Sequence, residues 1–172
     1  MKILKLELKQ DSTKSDHALA AANIRRELKA AFPTIKFAIR SKSYSGGDSI
    51  DIHWELGPAS KEVEAITNKY QKGTFNGMID LYEYDSDRTW TAKHGSAKYV
   101  FCKRNCNSAQ QAIETQLAKF YNAESAYDLQ TSAWRILEKY SLPADATVTG
   151  VEHTEQTAGL IEDIFRPTFT IA

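Results

Sequence analysis

A chain of 172 residues, 42% hydrophobic and 26% charged, is long enough to bury a core of its own and does not have the composition of a disordered polymer. Twenty-two basic side chains balance twenty-two acidic ones, so the net charge singles out neither nucleic acid nor a membrane surface as a partner. No apolar run approaches the roughly 20 residues needed to span a bilayer, and the opening Met1-Lys2-Ile3-Leu4-Lys5 lacks the apolar stretch of a secretion signal.

The expectation is one soluble, cytoplasmic domain over 1–172. Cys102 and Cys106 form a lone C-x3-C with no second pair at ligand spacing, which argues against zinc and for a reducing compartment. The neutral total hides alternating blocks. Residues 1–42 carry ten basic and four acidic side chains, 43–90 four and nine, 91–120 five and one, and 121–172 three and eight. Blocks this mild either build a two-faced surface or disperse on folding.

In chain order, Leu4, Leu6 and Leu8 alternate with Lys5, Glu7 and Lys9, the period of a half-buried strand. Ser15 or Asp16 caps an alanine-rich helix running to about Ala31, with Leu19, Ala22, Leu28 and Phe32 inward and Arg25, Arg26 and Lys29 elsewhere on the cylinder. Pro33 ends it. Ile35, Phe37 and Ile39 then point one way and Lys36, Ala38 and Arg40 the other. Ile50, Ile52 and Trp54 point inward while Asp51, His53 and Glu55 point out, so the two segments predict an antiparallel hairpin joined by residues 43–48.

Gly57-Pro58 stops the hairpin. Ser60 is placed to cap a helix from about Lys61 to Gln71 with Val63, Ile66 and Tyr70 on its apolar side. Residues 73–77 read as loop, Met78–Tyr84 and Thr89–Lys93 as an irregular extended piece, and Ala97–Lys103 as a clean strand. Helices are expected over Ser108–Tyr121 and Ser125–Tyr140, an edge strand over Thr147–Glu152 and a short helix over Leu160–Phe165. Hairpins and segregated helices predict an α+β fold, a mostly antiparallel sheet with helices packed on one face.

Three segments are candidates for chemistry. The Gly46-Gly47 turn has the composition of a phosphate cradle, but it joins two strands and no Lys-Ser/Thr follows, so a hairpin turn that needs glycine is the plainer reading. Asp51, His53 and Glu55 share one strand face and could bind metal or shuttle a proton. Cross-strand ion pairing with Lys36 and Arg40 explains the same residues without function and is the favoured reading. His17, His94 and His153 show no ligand or catalytic spacing. No catalytic residue, metal or cofactor is expected, and the chain does not read as an enzyme.

Finally, Arg25, Arg26, Lys29, Lys36, Arg40 and Lys42 could form a basic strip beside Tyr44 that follows a nucleic-acid backbone. The helix–hairpin–helix order is similar to double-stranded-RNA-binding domains, although Lys61-Glu62-Val63-Glu64 lacks the clustered lysines those need. Trp54 is expected in the core.

The run Arg40-Ser41-Lys42-Ser43-Tyr44-Ser45-Gly46-Gly47-Asp48-Ser49-Ile50-Asp51-Ile52-His53-Trp54, with Gly57-Pro58 after it and Leu28-Lys29-Ala30-Ala31-Phe32-Pro33 before it, resembles large polyvalent protein-associated domain 29. Phe75-Asn76-Gly77-Met78, Asp80 and Ala97-Lys98-Tyr99-Val100-Phe101 extend the resemblance across roughly residues 20–140, leaving 141–172 as a C-terminal extension. It implies a phage or mobile-element context, in which such domains sometimes sit within very long proteins thought to protect incoming DNA from host defences. It brings no catalytic residues. The expectation is a non-catalytic interaction protein binding a host protein, such as a defence complex of the anti-CRISPR or antirestriction type. Its contact surface would be Arg40, Lys42, Tyr44, Ser45, Gly46, Gly47 and Asp48. The alternative is a DNA- or RNA-binding accessory protein using the basic strip.

Overall fold

The computed structural model describes residues 4–120, 126–154 and 165–171. The chain divides into two compact units, one built from Met1–Trp54 and Glu62–Lys103, the other from Glu55–Lys61 and Arg104–Ala172. Among the described residues the architecture is α+β, with antiparallel ladders in every hairpin.

The first unit opens without the expected strand. Residues 4–8 belong to no ladder and run into a 3-10 turn over Lys9–Asp11. Leu6, Glu7 and Leu8 are all half-buried and Leu4 is exposed, so burial does not alternate there, and the backbone partner is a side chain. The amide of Asn23 accepts from the Glu7 N–H at 2.8 Å and donates to the Glu7 carbonyl at 2.8 Å.

Helix α1 (Asp16–Ala31) buries Leu19, Ala20, Ala21, Asn23, Ile24 and Leu28 and leaves Arg25, Arg26 and Lys29 exposed. Ser15 occupies its N-cap position, but its hydroxyl meets His17 Nε2 at 3.0 Å instead of the helix backbone. Phe32 ends the helix one residue before Pro33.

Strands β1 (Ala38–Tyr44) and β2 (Gly47–Glu55) form the expected hairpin, joined by only Ser45 and Gly46. Ile39, Ile50, Ile52 and Trp54 are buried with the α1 side chains and Val63, Tyr70 and Ala97 in one core. Ile35 is buried and Phe37 packs on the same core, although the ladder itself starts only at Ala38. Leu56 and Gly57 both have left-handed φ (48° and 63°), which breaks the strand where Gly57-Pro58 announces it.

Helix α2 (Ser60–Thr67) is followed by a 3-10 turn over Asn68–Tyr70 and buries Val63 and Tyr70. The predicted loop at 73–77 is instead largely β3 (Gly73–Asn76), paired with β4 (Leu81–Tyr84). Thr89–Lys93 is not extended but lies in helix α3 (Thr89–His94), whose first N–H is held by Asp87 Oδ1 at 2.9 Å.

Strand β5 (Tyr99–Asn105) flanks β2 on the side opposite β1. Its start lies beside the start of β2, where Lys98 N–H donates to Asp48 Oδ1. Its end lies beside the end of β2, where Leu56 N–H donates to the Asn105 carbonyl at 3.0 Å, so the two strands run in the same direction.

The second unit holds α4 (Asn107–Phe120), α5 (Ala126–Lys139), β6 (Ala146–His153) and β7 (Phe165–Ile171). Ile113, Leu117, Ile136, Leu137, Val148 and Phe165 are buried in its core, together with Leu56. The Arg104 guanidinium ties the unit together, donating to the carbonyls of Leu56 (2.9 Å), Gly57 (2.8 Å) and Leu137.

The edge strand expected at 147–152 is β6, with a bulge at Val148/Gly150. Gly150 has φ +156°, and a Cβ there would overlap Gln116 Oε1, which accepts from Val151 N–H. The helix expected over Leu160–Phe165 falls outside the described residues except for Phe165, which begins β7.

Candidate functional site

Alternation along β1 and β2 sends Ile39, Ile50, Ile52 and Trp54 into the core and turns the opposite set outward. That outer face carries Arg40, Lys42 and Tyr44 from β1 and Asp51 and His53 from β2. Tyr99, Phe101 and Lys103 of β5 join them, since Lys103 Nζ reaches the same Asp51 carboxylate as Lys42. Glu55, the last residue of β2, is exposed.

The predicted contact residues divide into two groups. Arg40, Lys42, Tyr44, Ser45 and Gly46 are exposed, Lys42 with 63% of its side chain accessible. Gly47 and Asp48 are tied into the body of the unit. Asp48 accepts from the Lys98 N–H at 2.5 Å and from Lys72 Nζ at 3.0 Å. The Lys98 side chain lies across Gly47 and its ammonium donates to the Gly46 carbonyl at 3.0 Å. Gly47 has φ +144°, and a Cβ there would stand 2.7 Å from Lys98 Cδ, so glycine is needed for both conformation and space.

The Asp51–His53–Glu55 row is joined to neighbouring cations. Asp51 lies 3.2 Å from Lys42 Nζ and 4.0 Å from Lys103 Nζ, and its register partner is Arg40. Cross-strand pairing therefore accounts for Asp51, through Lys42 and Lys103 rather than Lys36. Among the described residues, no cluster of three or more His, Cys, Asp or Glu side chains is arranged to hold a metal ion.

Half of the proposed basic strip has structural work. Arg25 donates to the Ile39 carbonyl, Arg26 reaches Glu7 at 3.2 Å, and Lys29 donates to the Pro33 carbonyl at 2.8 Å. Lys36, Arg40 and Lys42 are exposed, Lys42 while ion-paired with Asp51.

Beside the hairpin runs an aromatic row that sequence reasoning missed. Tyr84 meets Tyr82 edge-on at 4.9 Å, Tyr82 meets Tyr99 edge-on at 5.4 Å, and Tyr99 stacks on Phe101 at 5.8 Å and 10°. Cations sit over these rings: Arg88 over Tyr84, Lys98 over Tyr82 and Tyr99, and Lys103 over Phe101. The Tyr82 hydroxyl donates toward the Gly73 and Lys98 carbonyls, and burial pushes its pKa up to about 12. The one signal in the sequence was the alternation of Tyr99, Phe101 and Lys103 with Val100 and Cys102.

Within the same unit, Trp90 packs edge-on against Tyr70 at 5.9 Å and lies under the Lys69 ammonium, so it is a packing residue, as is Trp54. No described helix is long and apolar enough to cross a membrane.

The profile of the large polyvalent protein associated domain 29 family matches residues 15–109. The chain belongs to this family. The match begins just before α1 and ends inside α4, so it takes in the β1–β2 hairpin, the β3–β4 hairpin and β5. Membership in the domain 29 family associates the chain with the large polyvalent proteins of phages and mobile elements. No curated protein and no solved structure matches it.

Proposed function

We propose that this domain 29 protein is a non-catalytic interaction protein of a phage or mobile element that binds a host protein, in concrete form a defence complex of the anti-CRISPR or antirestriction type. The observation that carries this reading is the pinned hairpin. Asp48 and Lys98 fix its turn end, while Arg40, Lys42 and Tyr44 stand exposed on its outer face. A preorganised surface with two cations and one ring loses little entropy on binding, and Tyr and Arg are the side chains enriched where binding energy concentrates.

The test is a pull-down from host lysate, with and without nuclease, comparing the natural chain with Arg40→Glu/Lys42→Glu. Loss of a specific host protein with unchanged thermal stability supports the reading. Retention of the same protein by the double variant removes this surface from it.

A second reading, a DNA- or RNA-binding accessory protein, is supported by the aromatic row. The exposed Phe101 and Tyr84 rings, with half-buried Tyr82 and Tyr99 between them and Lys98 and Lys103 over the row, are the kind of surface on which single-stranded bases stack. Electrophoretic mobility shift with single- and double-stranded probes tests it, and no shift at low salt rejects it.

A further inference from the structure

The β3–β4 hairpin presents an unusual surface to solvent. Phe75, Ile79 and Leu81 are each at least half exposed, and Met78 is 93% exposed. Met78 and Ile79 lie in the turn and Leu81 opens β4, so these three share the tip of a short hairpin, while Phe75, paired with Tyr82, faces the other side. Apolar exposure gathered at a tip marks a contact surface. The tip is built, not loose. Met78 N–H donates to Asn76 Oδ1 at 3.0 Å, Asn76 Nδ2 donates to Glu83 Oε1 at 2.9 Å, and Asp80 is held at φ 51°. The hairpin is also one-signed: residues 73–84 contain Asp80 and Glu83 and no lysine or arginine, whereas Asp85 and Asp87 lie past its open end beside Lys72 and Arg88.

The same unit carries an apolar recess edged by the opposite charge. A groove of about 380 Å³ is floored by Ile35, Phe37 and Ile39 and rimmed by Arg25, Lys29 and Lys36. Arg25 and Lys29 donate to the Ile39 and Pro33 carbonyls, which are neutral acceptors, so these bonds orient the two cations without cancelling their charge. One surface is apolar with an acidic rim and the other apolar with a basic rim.

We infer that the chain self-associates, the β3–β4 tip of one copy seating Met78 and Ile79 in the Arg25–Lys29–Lys36 groove of a second copy. The contact joins unlike surfaces, so every copy offers one of each, and association continues from copy to copy unless the rotation closes a ring. The apolar side chains supply the affinity and the opposed charges set the register and the rate. The inference goes beyond the host-protein reading. It involves different surfaces and needs no other molecule, so either can fail alone.

Sedimentation velocity on the purified full chain tests it. The average mass should rise with protein concentration at low salt and rise less steeply in about 0.5 M NaCl, where charges are screened within a few ångströms and the apolar contact remains. Met78→Asp should weaken association by about tenfold or more with unchanged thermal unfolding. Two reversed variants, Asp80→Lys/Glu83→Lys and Lys29→Glu/Lys36→Glu, should each be monomeric alone and associate when mixed, because each then offers a partner for the other's altered surface. Recovery on mixing also shows that both variants are folded. A natural chain that stays monomeric at every concentration overturns the inference. So does association that is indifferent to Met78→Asp, or a mixture that remains monomeric.

Discussion

The side-chain amide of Asn23 closes a two-bond ring with the backbone of Glu7, as a neighbouring strand would. Its nitrogen also donates to the His94 carbonyl at 3.0 Å. Asn23 is fully buried on α1, so one residue anchors both the N-terminal segment and the end of α3. An asparagine suits this place because it carries a donor and an acceptor in the spacing of a peptide group.

Asn23→Leu keeps the volume but leaves an N–H and two carbonyls without their partner. The expected loss is about 2–4 kcal/mol of unfolding free energy, since unmade buried hydrogen bonds cost more than made ones contribute. Urea denaturation measures it, and a change within error would mean that these backbone groups are hydrated.

Gly47→Ala meets two obstacles, the φ of +144° and the Lys98 side chain. It should destabilise by about 1–3 kcal/mol. Combined with Lys98→Ala the penalty should shrink by about 1 kcal/mol, because the steric part disappears and the backbone part stays. Strict additivity in a double-mutant cycle would refute the contact.

The Glu7 carboxylate accepts from the Lys14 ammonium and the Ser12 hydroxyl, which pull its pKa down from 4.5 to about 2. A carboxylate depressed in the folded state stabilises above its unfolded pKa, and that contribution is lost as pH falls through the folded value. The natural chain should therefore exceed Glu7→Gln in melting temperature at neutral pH. The gap should narrow between about pH 5 and pH 2 and close below it. A gap constant with pH would rule out the ionised carboxylate as its source.

Burial raises the pKa of both thiols, Cys102 against the core of the first unit and Cys106 against that of the second. Because the thiolate is the reactive form, both should react slowly with a thiol reagent at pH 7.5 and rapidly once the chain is unfolded. Fast labelling of the native protein would contradict their placement.

The elements legible in the sequence are those with one wet and one dry face. Ile50, Ile52 and Trp54 against Asp51 and His53 gave the hairpin directly, and α1 followed from its apolar stripe. β3 escaped notice because Thr74 and Phe75 are both exposed, so no burial rhythm marks it. α3 is six residues long, too short for a helical period to show. Leu4–Leu8 carried a strand rhythm without a strand because its partner is Asn23, far along the chain. At the candidate site, the exposure of Lys42 and Tyr44 was readable, but the anchoring of Asp48 by Lys72 and Lys98 was not. That anchoring joins positions 24 and 50 residues apart. The charge blocks, ambiguous on paper, do segregate in part: groove cations come from 1–42 and the acidic tip from 43–90.

Arg104 grips the carbonyls of Leu56 and Gly57, and Leu56 lies in the second core, so the C-terminal half depends on a short loop inserted between β2 and α2. No single cut of the polypeptide separates the halves. A fragment beginning at 104 would lack two acceptors of its own arginine, and one ending at 109 would strand Leu56 without Ile113 and Leu137. Exchange of such modules between mobile-element proteins would thus have to carry the borrowed loop along with the tail.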